Sequence, residues 1–159
     1  MEAIVAVYSD WGIGRAGTQP VVLKADRAHF RELTAGAAVL VGRRTLADFP
    51  GGKPLKGRLN LVVTRQDIEI EGAVVVHGTE EALAKAAKQP RCLVIGGASV
   101  YRAFYPYLDT VYVTKIELCP ESDSFFPDLD ADPAWVCEAG ERLEENGIGY
   151  RFCTYRKQG

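Results

Sequence analysis

The sequence predicts an α/β protein with a central, mostly parallel sheet, an antiparallel C-terminal edge and helices on both faces. Continuous apolar runs of four or five residues recur along the chain, as is typical of strands buried on both faces of a parallel sheet. Helical patterns alternate with these runs through residue 104, and strands dominate afterwards. The 159 residues suffice for one core. We therefore expect residues 1–159 to form a single domain.

The individual elements follow in order along the chain. Apolar runs predict strands at AIVAVY (3–8), GAAVLVG (36–42), RLNLVVTR (58–65), GAVVVH (72–77) and RCLVIGG (91–97). The stretches between them predict helices over 24–35, 43–48, 79–88 and 98–104. The run DTVYVTKIEL (109–118) is longer and alternates, and YRFCTYRK (150–157) closes the chain. The last segments are expected to supply the antiparallel edge of the sheet.

Composition excludes several classes of function. The net charge of −2 creates no field that would favour nucleic acid or an anionic membrane. No run approaches the roughly 18 apolar residues of a membrane span, and the first residues do not resemble a signal peptide. The four cysteines and two histidines lack metal-ligand spacing. We expect free thiols, a cytoplasmic location and no metal site.

An acidic residue shares the apolar face of the first predicted helix. Asp26, Phe30 and Leu33 stand at positions i, i+4 and i+7, so a helix would place them on one side. One interpretation is that Asp26 caps the helix, since aspartate is a preferred N-cap. A capping box would require Glu or Gln three residues later, where His29 stands. The other interpretation is a carboxylate that faces a ligand pocket.

Three turns at the carboxyl ends of predicted strands share a chemistry suited to phosphate. They are VLVGRRT (39–45), VVTR (62–65) and LVIGGASVY (93–101). Ligands of such sheets bind where strands turn into helices, and helix N-termini together with arginines bind anions. The three turns indicate a multiply charged nucleotide. They do not form the G-x-G-x-x-G fingerprint of the common dinucleotide fold.

These motifs, in this order and spacing, resemble the dihydrofolate reductase family over nearly the whole chain. The resemblance is carried by IVAVYSDWGIG (4–14), KADRAHF (24–30), VLVGRRT (39–45), GKPLKGRLNLVVTR (52–65), VIGGASVY (94–101), VYVTKI (111–116) and DSFFP (123–127). It implies hydride transfer from NADPH to C6 of 7,8-dihydrofolate, with a proton delivered to N5. It also implies a protein that works as a monomer.

The resemblance also implies the substrate site. Asp26 matches the family's acid in the pteridine pocket, where it promotes protonation of N5, and Thr114 matches the threonine bonded to that acid. Phe30 would lie against the p-aminobenzoyl ring, and Arg58 would pair with the glutamate carboxylate; a surface ion pair is the alternative for Arg58. The remaining implied pocket residues are Val5, Ala6, Arg27 and Ile95.

The implied cofactor site holds NADPH. Ile13, Gly14 and Ser124 would border the nicotinamide, in and near a lid that runs to Pro20. The phosphates, including the 2′-phosphate, would contact Gly42, Arg43, Arg44, Thr45, Thr64 and Arg65. Gly96 and Gly97, joined by a cis peptide in the family, would lie under the cofactor, beside Ala6, Ile95, Ala98, Ser99, Val100 and Tyr101.

Three positions depart from the family pattern. Val21 stands where the family usually has tryptophan, Lys24 replaces a usual proline, and Arg27 occupies a usually apolar position. Three alternative functions are kept open at this point. They are a pyrimidine reductase of riboflavin synthesis with the same fold, a general pteridine reductase, and a non-catalytic NADP-binding module.

Overall fold

A nine-stranded mixed sheet forms the centre of the molecule. The computed structural model describes residues 1–15 and 19–158. The strands are β1 (Glu2–Val7), β2 (Gly12–Gly14), β3 (Ala38–Gly42), β4 (Leu59–Val63), β5 (Ala73–Val76), β6 (Cys92–Gly96), β7 (Thr110–Ile116), β8 (Ser124–Phe125), β9 (Trp135–Ala139), β10 (Leu143–Glu145) and β11 (Ile148–Lys157). The helices are α1 (Lys24–Thr34), α2 (Arg43–Ala47), α3 (Thr79–Ala86) and α4 (Ala98–Phe104), with short 3₁₀ turns at Pro50–Gly52 and Tyr105–Tyr107.

The order of strands across the sheet is β10-β11-β7-β1-β6-β3-β4-β5, and β9 also pairs with β11. Every pairing from β7 through β5 is parallel, and antiparallel pairing begins where β11 joins β7. The carboxyl ends of β6, β3 and β4 are therefore neighbours at one end of the sheet. The expected sheet, with its antiparallel C-terminal edge, is confirmed.

The helices cover both faces of this sheet, and successive apolar side chains of each strand point alternately to the two faces. On one face, Phe30 and Leu33 of α1 and Leu46 of α2 pack against Val39 and Leu93. On the opposite face, α3 and α4 pack against the other set of strand residues, among them Ala3, Val5, Leu40 and Val94. None of the helices in the described part of the chain is long and apolar enough to cross a membrane.

The apolar runs predicted seven strands, and four short ones were not predicted. Strands β2 and β8 have three and two residues and pair only with each other. Strands β9 and β10 share one edge of β11, which is long enough to pair with both. These four segments are short or largely exposed, so they lack the apolar pattern that marks a buried strand.

Candidate functional site

The three phosphate-type turns meet at the carboxyl end of the sheet. Arg43 begins α2 directly after β3, Thr64 follows β4, and Gly97 follows β6. Because β6, β3 and β4 are adjacent and parallel, the turns form one continuous surface. The first residues of α2 and α4 receive no side-chain cap. This is the arrangement in which sheets of this class bind nucleotides.

Glycines in two of these turns allow very close approach of the backbone. Gly96 and Gly97 are joined by a cis peptide bond. A Cβ atom on Gly97 would lie 2.9 Å from Oγ1 of Thr45, and one on Gly42 would lie 2.9 Å from Cγ2 of Val100. The turns after β3 and β6 are thus packed against each other, and a larger residue at either position would require a side chain of the neighbouring turn to shift.

The arginines of this surface have no carboxylate partner in the part of the chain that the structure describes. Within residues 1–15 and 19–158, Arg43, Arg44 and Arg65 form no ion pair, whereas Arg91 and Arg142 elsewhere do. All three are exposed. Three unneutralised guanidinium groups, two of them at the uncapped start of α2, fit a ligand with several phosphates. NADPH, with its pyrophosphate and 2′-phosphate, meets this requirement.

The second part of the site is a buried polar contact on the other side of β6. Asp26 projects from the first turn of α1, and the hydroxyl of Thr114 on β7 donates a hydrogen bond of 2.6 Å to its Oδ1. Thr114 is only 1% exposed. It pairs in register with Ala6 of β1, so the carboxylate lies over the carboxyl-terminal half of β1.

Burial dominates the electrostatics of Asp26. It raises the pKa of the carboxyl group above its ordinary value, while the Thr114 hydrogen bond and the nearby His29 lower it and Glu145 raises it. Burial likewise lowers the pKa of His29, against the attraction of Asp26 and Glu32. A carboxylate with a raised pKa and one free oxygen is suited to bind a ring edge that carries N–H groups.

The structure rules out one of the two interpretations of Asp26. Helix α1 begins at Lys24, Leu23 is its N-cap and makes no side-chain cap, and Asp26 lies inside the first turn. The cap comes instead from Glu145 on β10, which accepts hydrogen bonds from the N–H groups of Lys24 at 2.8 Å and Ala25 at 3.0 Å. The N-cap interpretation is therefore wrong, and the carboxylate of Asp26 is available for a ligand.

The strands beside Asp26 present the other predicted pocket residues. Val5 and Ala6 lie on β1, and Ile95 lies near the end of β6. Phe30 is half-buried on α1, one turn after Asp26, within the apolar cluster that contains Ile95. The phenol of Tyr101 donates a buried hydrogen bond of 2.7 Å to the carbonyl of Ile4, and this fixes the backbone of β1 beside α4.

Arg58 is held in place without a carboxylate. Its Nε donates to Oγ1 of Thr34 at 2.9 Å, and its Nη1 donates to the carbonyl of Lys56 at 2.8 Å. Buried Asn60 fastens the same turn through bonds to both backbone groups of Leu55 and to the carbonyl of Arg58. Among the described residues Arg58 forms no ion pair. The guanidinium thus retains its capacity to bind an anion.

Arg27 does not face the core. It is exposed on α1, and it forms no ion pair within the described ranges. It follows Asp26 directly, so it lies about 100° around the helix from the acid. Where the family pattern has an apolar side chain, this chain therefore has a cation at the surface.

The lid residues and Ser124 come together as the resemblance implies. Gly14 of β2 pairs with Ser124 of β8, and the N–H of Asp123 donates to the carbonyl of Gly14 at 3.0 Å. Ile13, the residue before Gly14, is half-buried. The central part of the predicted lid, residues 16–18, lies outside the described residues.

Four residues of the site have supporting roles that were not predicted. Thr34 and Asn60 fix Arg58, Glu145 caps α1, and Tyr8 contacts Val21 through its phenol. Asn60 belongs to the quoted G-R-x-N pattern, and this was its available signal. Tyr8 lies in the quoted stretch IVAVYSDWGIG, but its partner Val21 lies in no quoted motif, and neither does Glu145, so these two contacts had no comparable signal.

A separate cavity lies at the opposite, amino end of the sheet. Its volume is about 530 Å³, and its lining includes Glu2, Arg91 and Asp109 but none of the predicted site residues. Glu2 pairs with Arg91, and Asp109 with the N-terminal amine, so its charges are already neutralised. No cluster of metal-ligating side chains occurs within the part of the chain that the structure describes.

Comparison with known proteins gives one consistent result. The family model described as dihydrofolate reductase matches residues 1–157. The dihydrofolate reductase of Bacillus subtilis is 36% identical over 159 residues, covering 98% of this chain and 93% of the relative. That of Mycobacterium tuberculosis is 40% identical over 151 residues, covering 91% and 90%. A solved dihydrofolate reductase from Enterococcus faecalis, complexed with NADP(H) and RAB-propyl, is 33% identical with a TM-score of 0.86, covering 99% and 96%.

Proposed function

The chain belongs to the dihydrofolate reductase family, and we propose that it catalyses the reaction of that family in the pocket beside Asp26. The reaction is the NADPH-dependent reduction of 7,8-dihydrofolate to 5,6,7,8-tetrahydrofolate. NADPH supplies the hydride when bound. The observation that carries the assignment of the site is the hydrogen bond of 2.6 Å between Thr114 and Asp26. It turns one carboxylate oxygen away from solvent and leaves the other for the substrate.

Asp26 binds and polarises the pterin. Its free oxygen accepts from the 2-amino group of the ring, and the oxygen shared with Thr114 lies next to N3 of the ring. A half-buried carboxylate beside a bound pterin favours positive charge on the ring, and protonation at N5 becomes easier as a result. Asp26 is thus the catalytic residue, and the proton need not pass directly from its oxygen to N5.

The remaining residues bind, orient and exclude water. Val5, Ala6, Ile95 and Phe30 form the walls that hold the pterin and the p-aminobenzoyl ring in contact with the nicotinamide. Holding two reactants at contact distance supplies a large part of the rate enhancement in such reactions. Ile13, Gly14 and Ser124 cover the nicotinamide from the lid side and exclude water from it.

The two charged ends of the ligands are bound by arginines. Arg58, held by Thr34, binds the α-carboxylate of the glutamate tail, and exposed Arg27 adds positive charge at the mouth of the pocket. At the cofactor end, Arg43, Arg44 and Arg65 bind the phosphates, supported by Gly42, Thr45 and Thr64. Backbone N–H groups of residues 96–101 complete the site for the pyrophosphate.

A spectrophotometric assay tests this function. We expect NADPH oxidation, followed at 340 nm, to depend on added dihydrofolate, and Asp26→Asn to lower the rate about 100-fold to 10,000-fold. Asp109→Asn is the matched control, because this exposed aspartate lies at the opposite end of the sheet; its rate should equal that of the unmodified chain. Turnover that is unaffected by Asp26→Asn would contradict the assigned role.

The same assay separates the alternatives. Binding of NADPH without oxidation would indicate a non-catalytic module, and equal rates with dihydrobiopterin would indicate a general pteridine reductase. The relatives reported above are named dihydrofolate reductases, and this does not favour a pyrimidine reductase.

We further propose that residues 1–159 form one domain and act as a cytoplasmic monomer, without nucleic-acid partners. All four cysteines are free thiols, in keeping with a reducing compartment. A net charge of −2 gives no attraction to nucleic acid. Light scattering coupled to size exclusion should give the mass of a single chain, 17.4 kDa. A mass of twice this value would contradict the monomer.

A further inference from the structure

The phenol of Tyr8 binds the backbone just before helix α1. Tyr8 follows the last residue of β1 and is 3% exposed. Its Oη accepts a hydrogen bond of 3.1 Å from the N–H of Val21, and the same hydroxyl lies 3.5 Å from the carbonyl of Val21. One buried side chain of the sheet thus contacts both backbone groups of one residue in the segment that leads into α1.

The ring of Tyr8 also fills the space under this segment. It belongs to an apolar cluster with Leu23, Ile116 and Tyr150, against which Val21 and other residues pack. Val21, a small side chain, packs against this cluster. The aromatic ring that it meets is supplied by Tyr8, just after β1, and the position of residue 21 depends on it.

The start of α1 has no side-chain cap of its own. Leu23, its N-cap, is buried in the same apolar cluster but offers no side-chain hydrogen bond. Two polar tertiary contacts add to this packing: the phenol of Tyr8 at Val21, and the carboxylate of Glu145 at the N–H groups of Lys24 and Ala25. Asp26 is the next residue, so these contacts help to fix where its carboxylate stands relative to Thr114.

We propose that Tyr8 is a positioning residue for the catalytic acid, and that its phenol, through Val21, holds Asp26 at hydrogen-bond distance from Thr114. The inference rests on the proposed function, because it concerns the residue that binds the pterin. Without the phenol, the segment before α1 is free to move. The carboxylate then loses part of its contact with the Thr114 hydroxyl, and the substrate loses a fixed partner.

The first test compares Tyr8→Phe with Tyr150→Phe, a phenol removed from the same buried cluster. The loss of one hydrogen bond should lower the rate of dihydrofolate reduction about twofold to tenfold in Tyr8→Phe. The pH profile of this rate should move to higher pH in Tyr8→Phe. The Thr114 hydrogen bond lowers the pKa of Asp26, so the pKa rises when part of that bond is lost. The other titratable groups coupled to Asp26 are His29, Glu145 and buried Tyr101, and both variants retain all three. Tyr150→Phe should retain the rate and profile of the unmodified chain.

Two outcomes of this test would overturn the proposal: a Tyr8→Phe variant with unchanged rate and pH profile, or an equal shift in Tyr150→Phe. The proposed function fails separately, if the unmodified chain does not oxidise NADPH with dihydrofolate.

A second test moves the aromatic ring from residue 8 to residue 21. Tyr8→Ala should lower both the rate and the melting temperature, since it removes the ring and the phenol. Adding Val21→Trp to Tyr8→Ala should restore part of both, because the two side chains share one cluster. Val21→Trp alone should lower the melting temperature, because the space is already occupied. A double variant no better than Tyr8→Ala, with Val21→Trp alone harmless, would overturn the shared position of the two rings.

Discussion

Replacing Thr114 by valine removes the hydrogen bond to Asp26 and leaves the shape of the side chain almost unchanged. Thr114 is 1% exposed, and water cannot easily take the place of its hydroxyl. The bond is short, 2.6 Å, and its acceptor is a carboxylate. Hydrogen bonds to charged groups contribute about 1.5–3 kcal/mol, against about 0.5–1.5 kcal/mol for neutral partners. We expect Thr114→Val to lower the free energy of unfolding at pH 7 by about 1.5–3 kcal/mol.

The contribution of the charge can be isolated in a double-mutant cycle with Asp26→Asn. The amide keeps an acceptor oxygen but no charge, so Thr114→Val should cost only about 0.5–1.5 kcal/mol in that background. The coupling between the two substitutions should therefore be on the order of 1 kcal/mol. Urea unfolding of the four proteins, followed by circular dichroism, measures each free energy.

The same cycle has a pH dependence of defined sign. Burial raises the pKa of Asp26 above its ordinary value of 3.8, so the folded chain holds this proton more tightly than the unfolded chain. The contribution of Asp26 to stability is therefore present below pH 3.8 and is lost as the pH rises through the folded-state pKa. Asp26→Asn should become more stable than the unmodified chain over this rise. Equal costs of Thr114→Val in both backgrounds, or an Asp26→Asn variant that is less stable at pH 7, would refute the reasoning.

Three other predictions follow from the contacts of the site. Glu145→Ala should lower the free energy of unfolding by about 0.5–2 kcal/mol in urea titrations because α1 loses its cap, and Glu145→Gln should lose less; equal losses would contradict the capping role. Gly97→Ala should weaken NADPH binding, measured by fluorescence titration, because its Cβ would lie 2.9 Å from Oγ1 of Thr45; unchanged affinity would show that the turn can adapt. Arg58→Leu should raise KM for dihydrofolate about tenfold to 100-fold without affecting a pteridine that lacks the glutamate tail; equal effects on both substrates would contradict its binding to the tail.

Local sequence patterns predicted the core of the fold and one half of the site. The strands from Ala38 to Gly42 and from Cys92 to Gly96 are almost continuously buried, and an apolar run is a direct consequence of burial on both faces. The three turns proposed to bind phosphates follow such strands at once. Their meeting at one end of the sheet follows from parallel pairing alone.

The other half of the site depends on contacts between distant residues. Thr114 is 88 positions from Asp26, and Glu145 is 120 positions from Ala25. No periodicity links such pairs, and Asp26 alone fitted an N-cap as well as a pocket acid. The resemblance to a family predicted the Thr114 contact, because that contact is part of the family pattern. It did not predict the contact of Tyr8 with Val21 or the contacts of Glu145, because Val21 and Glu145 lie outside the motifs that carry the resemblance.

The most direct test of the central claim is a crystal structure of the chain with folate and NADP⁺ bound. We expect the carboxylate of Asp26 to lie about 2.7–3.2 Å from the 2-amino group and N3 of the pterin, with Thr114 still bonded to it and the nicotinamide against the other side of the ring. A pterin bound elsewhere, or a carboxylate turned to solvent with no contact to the ring, would contradict it.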